Sequence, residues 1–400
     1  MKTVRCSIAP ILLASLFVLS ASACFASRTV FVKSDSKSDG PGNDWAHAYR
    51  TISGALAAAA SGDGVVVAAG IYSECIKLKS GVALWGGFPA AGGSWKLRDP
   101  KTNQTTLDGK RSGSVVTVPA GATSATVIDG FTIRNGTGTR PDPENELHGG
   151  GIYIRSSSPT VSHNVISGNV ADNGGGIGTY GDCAFLISEN TITGNTATRL
   201  GSGIYCGGWP EVTGSAARIL NNRITSNTGP FSAIFTNGGC SPTIAGNVIA
   251  VNKCSGILMT GEGTAPVTNN TIAYNGGDGI VPNWNSRLVA VNNIIAFNDG
   301  IGVVEGHDET SQPSLRNNCV YGNVGGNYSK VSPGSDDIST DPLFANGTSG
   351  DYHLKATSPC VSVGWAGAIG VPSTDIDGES RTQRGTIDIG ADEYWPKGTK

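Results

Sequence analysis

The chain has 400 residues, a formal net charge of -3 and only 15% charged residues, alongside 58 glycines. So few basic residues leave no electrostatic footprint for nucleic acid. A 38% hydrophobic content at low charge excludes a disordered chain as well.

The first 26 residues read as an export signal. Lys2 and Arg5 form a basic start, and the apolar run from Ile8 to Leu19 is too short to span a bilayer comfortably. Small residues follow, with cleavage expected after Ala26; lipidation at Cys24 is the alternative, although Ala21 stands where such a signal prefers leucine. No later stretch is apolar for long enough to cross a membrane. The expectation is an exported, soluble protein, extracellular or periplasmic, and monomeric. Seven of the nine cysteines follow Ala26, an odd number without metal-ligand spacing. They are expected to be buried free thiols, with a disulfide framework left open.

Residues 27–80 read as an N-terminal cap. Thr29 to Val32 is a strand, and Asn43 or Asp44 is placed to N-cap a helix from Trp45 to Ala60. Val65 to Val67 and Gly70 to Tyr72 then begin the strands. A stacked sheet leaves an open end, and an amphipathic helix over it is the expected remedy. Val82 to Gly87 and Ser114 to Val118 are further strands, and Val127 to Ile133 opens a regular region.

From there a repeat can be counted. Asn164, Asn190, Asn222, Asn247, Asn270, Asn293 and Asn318 are each followed five residues later by another asparagine, ending at Asn323. Two after each first asparagine stands Ile166, Ile192, Ile224, Ile249, Ile272, Ile295 or Val320. Three before it stands Val161, Ile187, Ile219, Ile244, Val267, Ala290 or Leu315. Steps of 23 to 32 residues leave room only for strands too short to bury a face alone. Stacking them at about 4.8 Å per coil completes their hydrogen bonds and joins the isoleucines into columns. The asparagines are expected at bends, in left-handed geometry, bonded to their neighbours above and below. A leucine framework is absent and propeller blades would be longer, so a parallel β-helix remains. Its coils are placed at 81–325, with insertions at 137–148 and 196–202 projecting from the stack and residues 326–400 as a loop-rich C-terminal cap and tail.

With these motifs, the chain resembles the bacterial right-handed parallel β-helix proteins of the pectate-lyase-like superfamily. The stretch Asn43 to Ile52 with Gly70-Ile71-Tyr72 is similar to their N-terminal cap. Asp341 to Phe344, Asp351 to Leu354, Ser358 to Cys360, Asp377-Gly378 with Arg381, and Asp388 to Tyr394 resemble the variant called choice-of-anchor Q. The resemblance implies an all-β, single-stranded right-handed solenoid. The superfamily includes lyases, hydrolases, epimerases, adhesins and members of unknown role, so it does not choose a chemistry. The hydrolases' clustered aspartates, the epimerases' Asp-Pro-His and the calcium-binding nonapeptide are all absent from this sequence.

Elimination on a uronate needs a base and a positive group or metal against the carboxylate. The candidate is a ladder joining Asp278-Gly279-Ile280 to Asp299-Gly300-Ile301. If the two Gly-Ile pairs are equivalent, the carboxylates stack and should bind a cation, calcium for instance, or share a proton. Arg287 and His307 join them as catalytic candidates, and Trp284 and Glu305 as substrate-binding ones. Counted from the preceding asparagine the two aspartates differ by two positions, so solvated turn residues are the alternative. A second polar patch is Asp142, Glu144, Glu146 and His148, read as a solvated loop. Asp129-Gly130 reads as turn chemistry. Two functions stay open: a protein that binds or organises extracellular polysaccharide, and a polysaccharide lyase or hydrolase.

Overall fold

The computed structural model describes residues 27–37, 40–141, 145–182, 184–207, 216–238, 240–306, 310–311, 313–381 and 385–396. The export-signal reading of residues 1–26 and the candidates His307, Asp142 and Glu144 fall outside them.

Each repeat forms one turn of a right-handed parallel β-helix, visiting three sheets in fixed order. In one coil, Thr160–Ser162 lies in sheet 1, Val165–Ser167 in sheet 2, and Val170–Asn173 and Ile177–Tyr180 in sheet 3. Successive coils pair in parallel without register slip in sheets 1 and 2 from Val127 onward, so Ile166, Ile192, Ile224, Ile249, Ile272, Ile295 and Val320 stand in one fully buried column. Val161, Ile187, Ile219, Ile244, Val267 and Ala290 form the matching column of sheet 1. Each buried isoleucine contributes about 1.5–3 kcal/mol relative to exposure.

Two asparagine ladders run along the stack. In the first, each Nδ2 donates to the next Oδ1 at 2.9–3.1 Å, from Asn164 through Asn318. The second runs likewise from Asn169 to Asn323. Backbone amides reinforce both, and the first ladder ends on a carboxylate: Asn318 donates its backbone N–H and its Nδ2 to Asp337 Oδ1 at 2.7 and 3.1 Å. The left-handed geometry expected of these asparagines belongs instead to the residue before each one. His163, Glu189, Asn221, Gly246, Asn269, Asn292 and Asn317 have φ between 52° and 68°. In a two-residue turn the first residue reverses the chain, which leaves the second free to point its amide into the stack.

Three expectations are corrected. The helix spans only Ile52–Ala58, capped by Thr51 and by Glu74, whose two carboxylate oxygens accept from the Ile52 and Ser53 amides. The stretch before it is drawn to the edge of Thr29–Val32, where Tyr49 donates to Phe31 and its carbonyl accepts from Lys33. Open strand hydrogen bonds win over helix propensity there, and Trp45 packs its ring on Phe31 at 4.9 Å and Phe88 at 5.7 Å. Residues 196–200 are a strand, Thr196–Leu200, paired with Val170–Asn173 and with Thr228, and so do not project as a loop. The C-terminal segment does more than end the stack. Tyr328–Ser329 and Ile338 extend it, but the rest folds back along the outer face of sheet 2. There Phe344, Tyr352, Leu354, Cys360, Ile389 and Ala391 form a second core with Val248, Ala250, Ala273, Ile294, Ala296 and Cys319.

Among the described cysteines, Cys206, Cys240, Cys254, Cys319 and Cys360 are buried and Cys75 is exposed. No helix among the described residues is long and apolar enough to cross a membrane.

Candidate functional site

The fold-back leaves only part of sheet 2's outer face open. Its outward positions at Thr132 and Arg134, Val165 and Ser167, Thr191 and Thr193, and Arg223 and Thr225 keep partial exposure. Those at Val248 and Ala250, Thr271 and Ala273, and Ile294 and Ala296 are buried. The open floor therefore spans four strands, about 14 Å at ~4.8 Å per coil. Hydroxyls from Thr132, Ser167, Thr191, Thr193 and Thr225 line it.

One end is walled by the loop from Arg98 to Gln104. Arg98 reaches over Gly130, donating from Nε to Gly86 O at 2.8 Å and from its other nitrogen to the Asp129 carboxylate. A cavity of about 570 Å³ lies between this loop and the floor, lined by Pro100, Lys101, Thr132, His163, Val165 and Glu189 among others. At its edge His163 bridges two carboxylates, Nδ1 to Asp129 Oδ2 at 2.7 Å and Nε2 to Glu189 Oε2 at 2.9 Å. Bonds to Asp129 and then Glu189 push its pKa up to about 10, against the opposing effect of burial. Burial works against ionising Asp129, yet His163, Arg98 and Ser162 outweigh it and hold the carboxyl below its usual range.

The other end is walled by the folded-back segment. Arg223 donates to Asp377 Oδ1 at 2.9 Å, and Asp377 Oδ2 meets His353 Nε2 at 2.7 Å. His353 Nδ1 bonds in turn to Asp351. The bond to Asp377, with that to Asp351, pushes His353 up to about 10 although burial opposes it. Asp392 stands beside them, its Oδ2 accepting from the Leu354 amide at 2.9 Å. Burial pushes Asp392 up to about 7. Among the described residues, His353, Asp377 and Asp392 form the group whose potential ligand atoms all lie within 4.8 Å of one another.

The residues expected to form a site lie elsewhere, on sheet 3 and its outgoing loops. Ile280 pairs with Val303, not Ile301, so Asp278 and Asp299 are not equivalent. Asp278 instead accepts from the Ile301 amide at 2.7 Å as a turn residue. Asp299 is exposed one level away, its amide on Asn275 O. The proposed stack of equivalent carboxylates is thereby corrected: both paired residues stand five after their asparagine, whereas Asp278 is three after Asn275 and Asp299 one after Asn298. Trp284 and Arg287 are exposed on the loop leaving Ile280–Asn283, and Glu305 lies level with Pro282. Glu146 turns away to Asn173 and Arg199, while His148 is buried, its pKa pushed down to about 4 by that burial.

His163 and Glu189 carry a signal of their own in the sequence. In the first ladder, the turn position before the asparagine is Asn or Gly from Asn221 onward. His163 and Glu189 break that pattern on adjacent coils, and both side chains meet at one ion pair.

A family model described as Protein of unknown function (DUF1565) matches residues 36–254, and one described as Disaggregatase related matches residues 198–373. No curated protein matches the chain. Among solved structures it is similar to that titled pectate lyase Pel9A, at 14% identity and a TM-score of 0.56, covering 92% of this chain and 97% of that one. The A-module of mannuronan C-5 epimerase AlgE6 from Azotobacter vinelandii matches at 16% identity and a TM-score of 0.37, covering 73% and 95%. The likeness to the pectate lyase is one of fold.

Proposed function

The chain belongs to the family described as Protein of unknown function (DUF1565), and from its geometry we propose that it is an exported protein that binds an acidic polysaccharide along the open half of sheet 2. The observation that carries this reading is the floor itself. It is a face of hydroxyl rungs repeating at ~4.8 Å and walled at both ends, open to a polymer segment lying across it. Cationic groups punctuate it: Lys101, with Arg134 beside Asp108, the imidazolium of His163 between Asp129 and Glu189, and Arg223 on Asp377, the last three already facing a protein carboxylate. They suit carboxylates on successive sugars, and the hydroxyls suit the ring oxygens and hydroxyls between them.

Binding is favoured over elimination because the groups that could take a proton, the two groove histidines and the carboxylates Asp129, Glu189 and Asp377, are all engaged with one another. Both groove histidines are clamped between carboxylates and hold their protons at neutral pH. A pectate lyase shares the fold, which makes pectate the first polymer to try.

Affinity electrophoresis in gels containing pectate, alginate or neutral dextran tests the reading. Retardation by an acidic polymer, weakened several-fold in Arg134→Ala and in Lys101→Ala, is expected. Equal mobility in all gels overturns it, and the appearance of unsaturated sugar ends would favour the lyase. Export is tested separately, by the mature N-terminus: the expected first residue is Ser27.

A further inference from the structure

We propose that His353, Asp377 and Asp392 bind one divalent transition-metal ion of the zinc type, with Asp351 orienting the histidine. The proposal stands independently of the polymer reading. Imidazole plus carboxylates is a donor set suited to such ions, and three protein ligands leave a coordination position free.

The ligands arrive from three separate stretches, each fixed by its own packing. His353 is the outward residue of Asp351–Leu354, whose Tyr352 and Leu354 are buried against sheet 2. Asp377 sits in a turn closed by Asp375, whose Oδ1 accepts from the Asp377 and Glu379 amides. Asp392 lies between Ala391, whose amide donates to Thr271 Oγ1 at 3.0 Å, and Glu393, which the buried Arg381 holds at 2.8 Å. The three ligand atoms converge although nothing in their local sequence brings them together.

The distances fit. Tetrahedral zinc with bonds of about 2.0–2.2 Å places its ligand atoms roughly 3.4 Å apart. Here they lie within 4.8 Å of one another, and His353 Nε2 to Asp377 Oδ2 at 2.7 Å needs to open by less than ~1 Å. The surroundings also have the expected second layer. Asp351 takes the other ring nitrogen of His353, as carboxylates do behind metal-bound histidines, and Arg223 occupies the Asp377 oxygen that faces away. Three carboxylates face one imidazolium and one guanidinium, so a dication enters by displacing the His353 Nε2 proton that now faces Asp377, and the carboxylates left in excess then neutralise it. An open cavity of about 740 Å³, lined by His353, Asp377, Asp392 and Trp395 among others, gives an ion and a further ligand access.

The competing account is a plain ion-pair hub that ties the C-terminal segment to Arg223. To separate the two, the full chain is stripped with a chelator and titrated with zinc chloride by calorimetry, with metal content measured after desalting. One retained zinc per chain and a zinc-dependent rise in Tm are expected. Asp377→Asn, at a half-exposed position that keeps its shape, should retain the fold by circular dichroism yet lose both. Asp351→Asn should weaken binding about tenfold. Cobalt(II) should give visible ligand-field bands that His353→Ala abolishes. No zinc retained by the wild-type chain, or equal affinity in Asp377→Asn, overturns the proposal.

Discussion

Along the outer face of sheet 2, the rungs Val165–Ser167, Thr191–Thr193 and Arg223–Thr225 stay partly exposed, while Val248–Ala250, Thr271–Ala273 and Ile294–Ala296 are buried. Both halves share the same inward isoleucines, the same asparagine ladders and the same strand length. They differ in the residues that flank each isoleucine. Polar side chains there make a groove floor, whereas alanine at the third position makes a shallow surface on which Phe344, Tyr352 and Ile389 can pack. In a solenoid the inward face therefore sets the architecture, and the outward face is free to become either a site or an interface.

The largest expected effect comes from placing one charge on each half. Ala273→Asp buries a carboxylate beneath the folded-back segment and should cost about 3 kcal/mol or more. Thr193→Asp, on the open floor, should change stability by about 0.5 kcal/mol or less. Urea denaturation measures both, and limited proteolysis should show residues 340–396 released only in the first. Equal costs would mean that the two halves are not distinct in the way described.

A smaller effect tests what they share. Asn270→Ala, under the covered half, and Asn190→Ala, under the open half, each remove a link whose amide donates to the next coil and whose oxygen accepts from the previous one. Orphaned buried partners cost about 1–3 kcal/mol each, so both variants should lose about 2–4 kcal/mol. The two losses should agree, because the ladder does not sense which half lies outside it. A much smaller loss in Asn190→Ala would show that the ladder is loosened beneath the groove.

The smallest effect is confined to the open half. His163 has its folded pKa raised to about 10, from an unfolded value near 6.5. Its ionic contribution is therefore complete below about pH 6.5 and lost as pH rises towards about 10. The stability difference between wild type and His163→Gln should be flat on the acid side of that window, until Asp129 and Glu189 protonate, and should shrink across it. NMR titration of the ring checks the pKa directly. A ring titrating near 6.5 would remove the argument that this histidine cannot serve as a base.

How much could be read in advance depends on where the determining contacts lie. The isoleucine columns and asparagine spacing were legible because each rung repeats the same local chemistry, and stacking in register multiplies it. Even the covered half leaves a mark, in the change from Val-Ile-Ser and Thr-Ile-Thr to Val-Ile-Ala and Thr-Ile-Ala. The Asp278 and Asp299 pairing failed for a physical reason: both precede a Gly-Ile pair, but sheet 3 aligns by the hydrogen bonds from Ile280 to Val303, and the spacing after the asparagine decides that. His353, Asp377 and Asp392 were beyond local reading, because strand alternation, a turn and a buried ion pair each orient one of them separately.

The sequence by itself determined a stack of short parallel strands, since no other arrangement buries six isoleucines and a valine spaced 23 to 32 residues apart while satisfying their backbones. Only the tertiary structure decided which outer face stays open. That depended on where residues 340–396 settle, and a chain segment chooses its resting place by the shape and polarity of a surface that exists only after the coils have stacked.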